Sequence, residues 1–381
     1  MLPREVYFTM FIASTPFAII NFFLGVYVLK LGGSTIEVGL AYAAYSLFTV
    51  ISRPLSGLII DRGGLKGILS VGMLLLSVGL LWLSISPDPV NAIVSMTIIG
   101  IALGFVNIAL LVYITSIGGF VDPKPYGELT SASAFGGAVA AGIGFVILAI
   151  SHILEIADVV AIKLSIFTYT LMCFIPGLYL VKKFKPVEPV AEDKQVNLSV
   201  LIYLLIATAL QATGSGISYP MIMPLLVNRF KATVFMIMLA FIPAGTAWIL
   251  VPMKVGDLIK KHGSHLSYGL STLISAITVS LVPHANNLAT LSLLWFLEAV
   301  GLSIWYVVLQ ALIPKVSSSR IWGRAYGLQN LAYYAPYALG AFVGGVLYAV
   351  FGVYLTFYTA ALFFVLAPLP LIVVSLKGIK L

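Results

Sequence analysis

Long apolar runs separated by short polar stretches recur along the whole chain. They lie at roughly 5–31, 35–61, 65–86, 90–119, 127–151, 159–181, 198–228, 233–260, 265–283, 288–315, 320–350 and 353–377. Each is close to or longer than the roughly 20 residues that cross a hydrocarbon core about 30 Å thick. The backbone finds no water in that core and must close its own hydrogen bonds, so each run is expected to be helical. An all-α membrane protein with twelve transmembrane helices follows. The longest polar stretch, KKFKPVEPVAEDKQVN at 182–197, holds Pro186 and Pro189 and reads as a linker. It divides the chain into two six-helix bundles, 1–181 and 198–381.

The halves echo one another. PYGELTSASAFGG (125–137) opens the fifth run and IWGRAYGLQNLAY (321–333) the eleventh, each with an aromatic–glycine pair, Tyr126-Gly127 and Trp322-Gly323. SGLIIDRGG closes the second run and KVGDLIKKHG (254–263) the eighth. A parallel repeat of six spans is an architecture of secondary transporters, with the substrate site near the midplane.

Composition agrees with a membrane protein. Only 9% of residues are charged, against about 25% in soluble chains, and the mean hydropathy is +1.09. The formal charge of +8 raises nucleic acid as a partner, but the charge distribution argues against it. With twelve spans, every lysine and arginine except Lys30, Lys163, Arg229 and Lys231 falls on the side of the N-terminus. Basic loops stay cytoplasmic, so both termini are expected inside a cytoplasmic membrane. The single cysteine, Cys173, excludes an internal disulfide. No short apolar region with a small-residue cleavage site precedes the first run, so no removable signal peptide is expected.

In the loop after the second run, Gly57, Asp61, Arg62 and Gly64, with Lys66 just beyond, form the pattern G-x-x-x-D-R-x-G followed by a basic residue. This stretch resembles the signature between spans 2 and 3 of the major facilitator superfamily, and it falls in the corresponding loop. The resemblance implies two six-helix bundles that give alternating access to a central cavity. It also implies that Asp61 engages the start of span 11 when the cytoplasmic side is closed. There Ser317 to Ser319 are candidate N-caps, and Arg320 and Arg324 are candidate cationic partners. The plainer alternative is a topogenic loop in which Asp61 neutralises Arg62. The second half departs from the pattern. Aligning Gly256 with Gly57 and Gly263 with Gly64 places Lys260 where Asp61 stands, so no acidic role passes to it.

Of the 13 acidic residues, Glu298 is the one deep inside a run. About ten residues at 1.5 Å each put it roughly 15 Å down, near the midplane. A carboxyl group there is either a proton-exchange or cation-binding site, or a structural acid bonded to a neighbouring helix. Trp305, seven residues on, shares its face. Arg53 and Lys254 are embedded less deeply and are expected to snorkel to the interface, the alternative for Arg53 being to stabilise the cytoplasmic gate or contact an anionic substrate. Tyr326, Gln329, Asn330, Tyr333 and Tyr337 form a polar–aromatic stripe on span 11, suited to a cavity wall or to helix packing. Asn21, Asn107 and Gln211 are isolated mid-span amides. Because spans 1, 4, 7 and 10 line the cavity in the resembled family, they are candidate substrate-binding groups. The competing role is interhelical bonding, notably along Gly100, Gly104 and Asn107.

Enzyme chemistry finds no support. His152, His262, His265 and His284 fall at span ends with no metal spacing, and no phosphate-cradling loop occurs, so neither a metal nor another cofactor is expected. Transport would draw on a gradient. Span 5 keeps Gly127, Gly136 and Gly144 of the glycine pattern of the family's drug–proton antiporters. It has Ala140-Ala141 where that pattern has Gly-Pro and Phe145 for the final glycine. GAFVGG (340–345) echoes it partially. One acid among aromatics and amides favours cationic amphipathic or neutral solutes over dicarboxylates. Three functions are weighed: proton-coupled efflux of amphipathic or cationic compounds, uptake of a neutral metabolite such as a sugar, and a non-transporting sensor or scaffold. A monomer in the lipid bilayer is expected, with a small-molecule substrate and protons as partners.

Overall fold

The computed structural model describes residues 2–33, 35–119, 122–184, 197–222, 225–226, 229–232 and 234–376. Within the helices some side chains, that of Asn21 among them, also lie outside the description. Most of the expected linker falls outside it too.

All regular elements among the described residues are helical. They are α1 (Arg4–Ala13), α2 (Pro16–Ala18), α3 (Leu24–Lys30), α4 (Thr35–Ile60), α5 (Leu65–Ile85), α6 (Pro89–Ile114), α7 (Lys124–Ile153) and α8 (Asp158–Lys183). After the linker come α9 (Leu198–Ser218), α10 (Val234–His262), α11 (Ser264–Leu281), α12 (Leu288–Val316), α13 (Trp322–Leu366) and α14 (Leu369–Leu376). Nine stretches among the described residues are long and apolar enough to cross a membrane.

Two runs expected as single helices are broken. The first divides at Ser14–Thr15, where Pro16 lacks the N–H that would continue the ladder. It then passes through a π-helical turn, Ile19–Phe23, before α3. Tyr42 donates from α4 to the Ile20 carbonyl within that turn, at 2.7 Å. In the seventh run α9 stops at Ser218 and a 3-10 turn, Tyr219–Met221, follows around Pro220. Conversely, α13 carries two expected spans, separated at Gly352, whose φ of 81° and ψ of −174° only glycine adopts readily.

The chain forms two compact units. One holds Met1–Ile117 and Ala132–Val190, the other Gly118–Ser131 and Ala191–Leu381. The first two turns of α7 therefore belong with the second unit. In each unit one helix is the most buried of the long apolar ones, α6 in the first and α12 in the second. Both start on the same device. The Asn91 backbone N–H donates to Asp88 at 2.8 Å, and that of Thr290 to Asn287 at 2.8 Å. Each cap satisfies one of the orphan donors of a helix start. The Asn91 backbone and side-chain amides hold the Asp88 carboxyl below its ordinary range.

Small residues bring the backbones together. Gly100 and Gly104 of α6 face Tyr45, Thr49 and Ser52 of α4, so this spacing is a packing seam. Gly340 and Gly344 of α13 face the Thr213 and Ile217 carbonyls of α9. The partial glycine echo at 340–345 is likewise occupied with packing.

Candidate functional site

Glu298 lies in α12 and is 1% exposed, and its Oε1 has no hydrogen-bond partner. Two strings of aromatic rings converge on it. One runs Trp248–Tyr306–Trp305–Tyr333–Tyr337, with centroid separations of 6.3, 6.3, 5.6 and 5.9 Å. The other joins Phe241 to Trp295 and Trp295 to Tyr219, the latter pair 6.0 Å apart. Tyr219 and Tyr337, at the ends of the strings, both stand close enough to feel the Glu298 charge. Trp295 and Trp305 are buried, whereas Tyr219 is exposed and Tyr333 and Tyr337 are half-buried. Trp295 and Trp305 therefore lie deeper in the cluster than these tyrosines. Ring faces beside a desolvated carboxyl group are suited to an organic cation, and the tyrosine hydroxyls can also bond a polar neutral solute.

Local breaks in the helices place these groups. α9 gives way at Pro220 to a 3-10 turn that Tyr219 opens, with Tyr219 N–H still bonded to the Ser215 carbonyl, while Trp295 sits one turn before Glu298. Sequence reading missed Tyr219, Trp295 and Phe241, which pass as ordinary apolar residues. The available signal was the spacing of Trp295, Glu298, Trp305 and Tyr306 along one helix.

The other candidate substrate groups are dispersed. Gln211 on α9 is wholly buried, and neither of its side-chain polar atoms has a partner. Asn107 is half-buried on α6, in the first unit. Gln329 and Asn330 are buried and bonded: Asn330 donates to the Tyr326 carbonyl at 2.8 Å and to Gln329 Oε1 at 3.2 Å. Asn21 lies outside the described side chains.

Asp61 and Arg62 form the turn that directly follows α4. Gly64 N–H reaches the Ile59 carbonyl at 3.1 Å and Gly63 N–H the Ile60 carbonyl at 2.9 Å. This is a left-handed glycine cap, with Gly63 at φ 89°. In the second half Gly263 takes the same place at φ 80°. By backbone conformation, then, Gly263 matches Gly63 rather than Gly64. Asp61 is partly buried and Arg62 exposed, and exposed Lys66 donates to the Lys182 carbonyl at the end of α8, at 3.5 Å. Gly57 is buried within α4. Arg320 and Arg324 are exposed and belong to the second unit. The serine caps expected ahead of α13 are not the arrangement found. Its N-cap is Ile321, and Ser317 instead donates to the Ile313 carbonyl at 2.7 Å, finishing α12. Arg53 is 3% exposed, so it is buried rather than snorkelling.

Within the second unit, residues 122–131 make a clasp that sequence reading did not foresee. Lys260 pairs with Asp122 at 3.0 Å, and Lys124 approaches Asp257 at 4.0 Å. Gly127 lies against the Pro252 backbone and Gly256 against that of Lys124, an approach a side chain would block. Ser131 donates to the Ile249 carbonyl at 2.6 Å. The Tyr126 and Tyr326 hydroxyls are 3.0 Å apart, and Tyr326 donates to the Gln310 carbonyl. Burial alone would raise the Asp122 carboxyl. The Lys124 backbone N–H and the Lys260 ammonium outweigh it and hold the group below its ordinary value. In the register set by Gly63 and Gly263, Lys261 stands where the first half has Asp61, and its neighbour Lys260 has the acid Asp122 as its partner.

Comparison with known proteins places the chain. The model of the Major Facilitator Superfamily matches residues 6–265 and 204–378. The quinolone resistance protein NorA of Staphylococcus aureus (strain COL) is 22% identical over 347 residues, covering 90% of this chain and 89% of NorA. The crystal structure of the human organic anion transporter MFSD10 (TETRAN) superposes with a TM-score of 0.77 at 15% identity, covering 97% of this chain and 100% of that one. The proton:xylose symporter XylE, bound to 6-bromo-6-deoxy-D-glucose, gives 0.75 at 15% identity, covering 96% and 93%. At such identities the structures speak for the fold alone. With its helical halves and its family match, the chain belongs to the major facilitator superfamily: it is a multi-pass membrane transporter and not an enzyme.

Proposed function

We propose that this transporter exports amphipathic or cationic organic compounds in exchange for protons, by alternating access, with Glu298 as the proton site. The carrying observation is the lone buried carboxyl group of α12 set between two strings of aromatic rings. Rings and carboxylate together attract a desolvated organic cation. A proton on Glu298 removes that attraction, so cation and proton compete for one group. NorA, a distant relative, is a quinolone resistance protein, which supports the direction of export. Trp305 and Tyr333 are proposed to contact substrate, with Asn21, Asn107, Gln211, Gln329 and Asn330 as further polar contacts. Gly57, Asp61, Arg62, Gly64, Lys66, Arg320 and Arg324 are proposed as gating residues. The protein is proposed to work in the cytoplasmic membrane as two halves, 1–181 and 198–381, joined by 182–197, with both termini inside.

The test is ligand-induced thermal stabilisation of the purified protein across pH, using drugs, sugars, amino acids and nucleosides. A selective ligand raises the melting midpoint. Cationic hits should stabilise more strongly as pH rises, and Glu298→Gln should abolish that dependence. A neutral sugar hit indifferent to Glu298 would overturn export and favour uptake of a metabolite.

A further inference from the structure

The α11 face turned to its neighbours is polar along its whole length. Ser264, Ser267, Tyr268, Ser271, Ser275 and Thr278 are all buried there. Most of these hydroxyls are satisfied within the helix: Ser267 donates to the Gly263 carbonyl at 2.8 Å, Ser271 to that of Tyr268 at 2.6 Å and Thr278 to that of Ile274 at 2.8 Å. Two are not. The Tyr268 hydroxyl and Ser275 Oγ are fully buried without a hydrogen-bond partner. On the facing helix, α12, Glu298 Oε1 and the Trp305 indole nitrogen are in the same situation.

These four groups follow one another along the helix pair. Ser275 Oγ lies 2.9 Å from where a β-carbon on Gly301 would stand. Gly301 is about one turn from Glu298 on one side and from Trp305 on the other. The Trp305 indole N–H points towards the Tyr268 hydroxyl and interacts with it, outside the distance and angle of a full hydrogen bond. One turn beyond Tyr268 comes half-buried His265, whose Nε2 is also without a partner. Lys315, which faces His265 from α12 and donates to Ser264 at 3.3 Å, stands at the end of the series. The groups facing Glu298 from the other elements are Tyr219 and Tyr337.

Buried polar groups are seldom left unpaired, and a site offering roughly two to four polar partners is where an internal water sits. We propose that water fills the seam between α11 and α12 and relays protons between the His265 end of the second unit and Glu298, through Tyr268 and Ser275. Each oxygen along the path accepts one proton and releases another. The Glu298 carboxylic acid gives up its proton and ends as the carboxylate, and a water molecule at the His265 end leaves as hydronium. The path rests on the reading of Glu298 as the proton site, and it gives that acid a release route separate from the substrate's.

Infrared difference spectroscopy of the full chain in liposomes tests it. The carboxylic-acid band missing in Glu298→Gln is assigned to Glu298, and its shift rate is followed after transfer to heavy water. Tyr268→Phe combined with Ser275→Ala removes both relay oxygens. It should keep the band while slowing its exchange about tenfold, a barrier change of one lost relay contact. Ser280→Ala, on the same helix but outside the seam, should exchange as the wild type does. If the double variant does not reconstitute, Ser275→Ala alone should still slow exchange several-fold. Exchange in the relay variants as fast as in the wild type overturns the path and leaves Glu298 as the proton site. A wild type with no Glu298 band removes the proton site and the path with it.

Discussion

Asp122 and Glu298 are both acids, but their surroundings ask opposite things of them. Asp122 stands outside the membrane-spanning part of α7, accepting the Lys124 backbone N–H at 2.9 Å and the Lys260 ammonium at 3.0 Å. These donors prefer the carboxylate. A depressed carboxyl stabilises the folded state above its unfolded value and loses that contribution as pH falls through the folded one. Wild type should therefore melt above Asp122→Asn at neutral and mildly acidic pH. The gap should close only below the ordinary value of 3.8. The pair is substantially exposed, so the gap should be small. Equal melting at neutral pH would show that the clasp adds nothing to stability. Glu298 has aromatic rings instead of cations around it, which leaves its charge open to a proton or to a cationic ligand.

Helix elements here are ended and bent by residues that can be named. Pro16 and Pro220 break apolar runs that look continuous, because hydropathy alone does not register a missing N–H. Gly352 does the reverse work of separating two spans within α13. Replacing it with alanine forces a side chain into a backbone region almost reserved for glycine, at a cost of about 1–3 kcal/mol. A thermal melt of Gly352→Ala should show that loss, with ligand affinity in the surviving folded fraction unchanged. An unaltered midpoint would mean that the turn relaxes freely. The twelve runs were legible because lipid imposes length and polarity on every span. Glu298 was legible because a single acid in an apolar run is conspicuous. Tyr219, Trp295 and the Asp122–Lys260 pair were not, since aromatics count as apolar and ion-pair partners lie far apart in sequence. The glycine register was misread by one residue, as only φ distinguishes Gly63 from Gly64.

At the scale of the whole molecule, the repeat is more than a matter of span number. The most buried helix of each unit begins on an Asp or Asn cap, Asp88 and Asn287, and the loops after spans 2 and 8 both close on a left-handed glycine. The chemistry is not repeated. The second unit holds the buried acid and its rings, while the first holds a buried arginine, Arg53. The scaffold repeats between the halves, and the candidate site does not. The central claim is that Glu298 exchanges protons for an organic cation. Its most direct test is flux of a fluorescent cationic dye in liposomes carrying the purified protein, with a pH gradient imposed and then collapsed by an ionophore. Uphill dye movement opposite to the proton gradient, lost on collapse and in Glu298→Gln, is the predicted result. Dye movement that persists unchanged without the gradient, or in Glu298→Gln, would contradict the account.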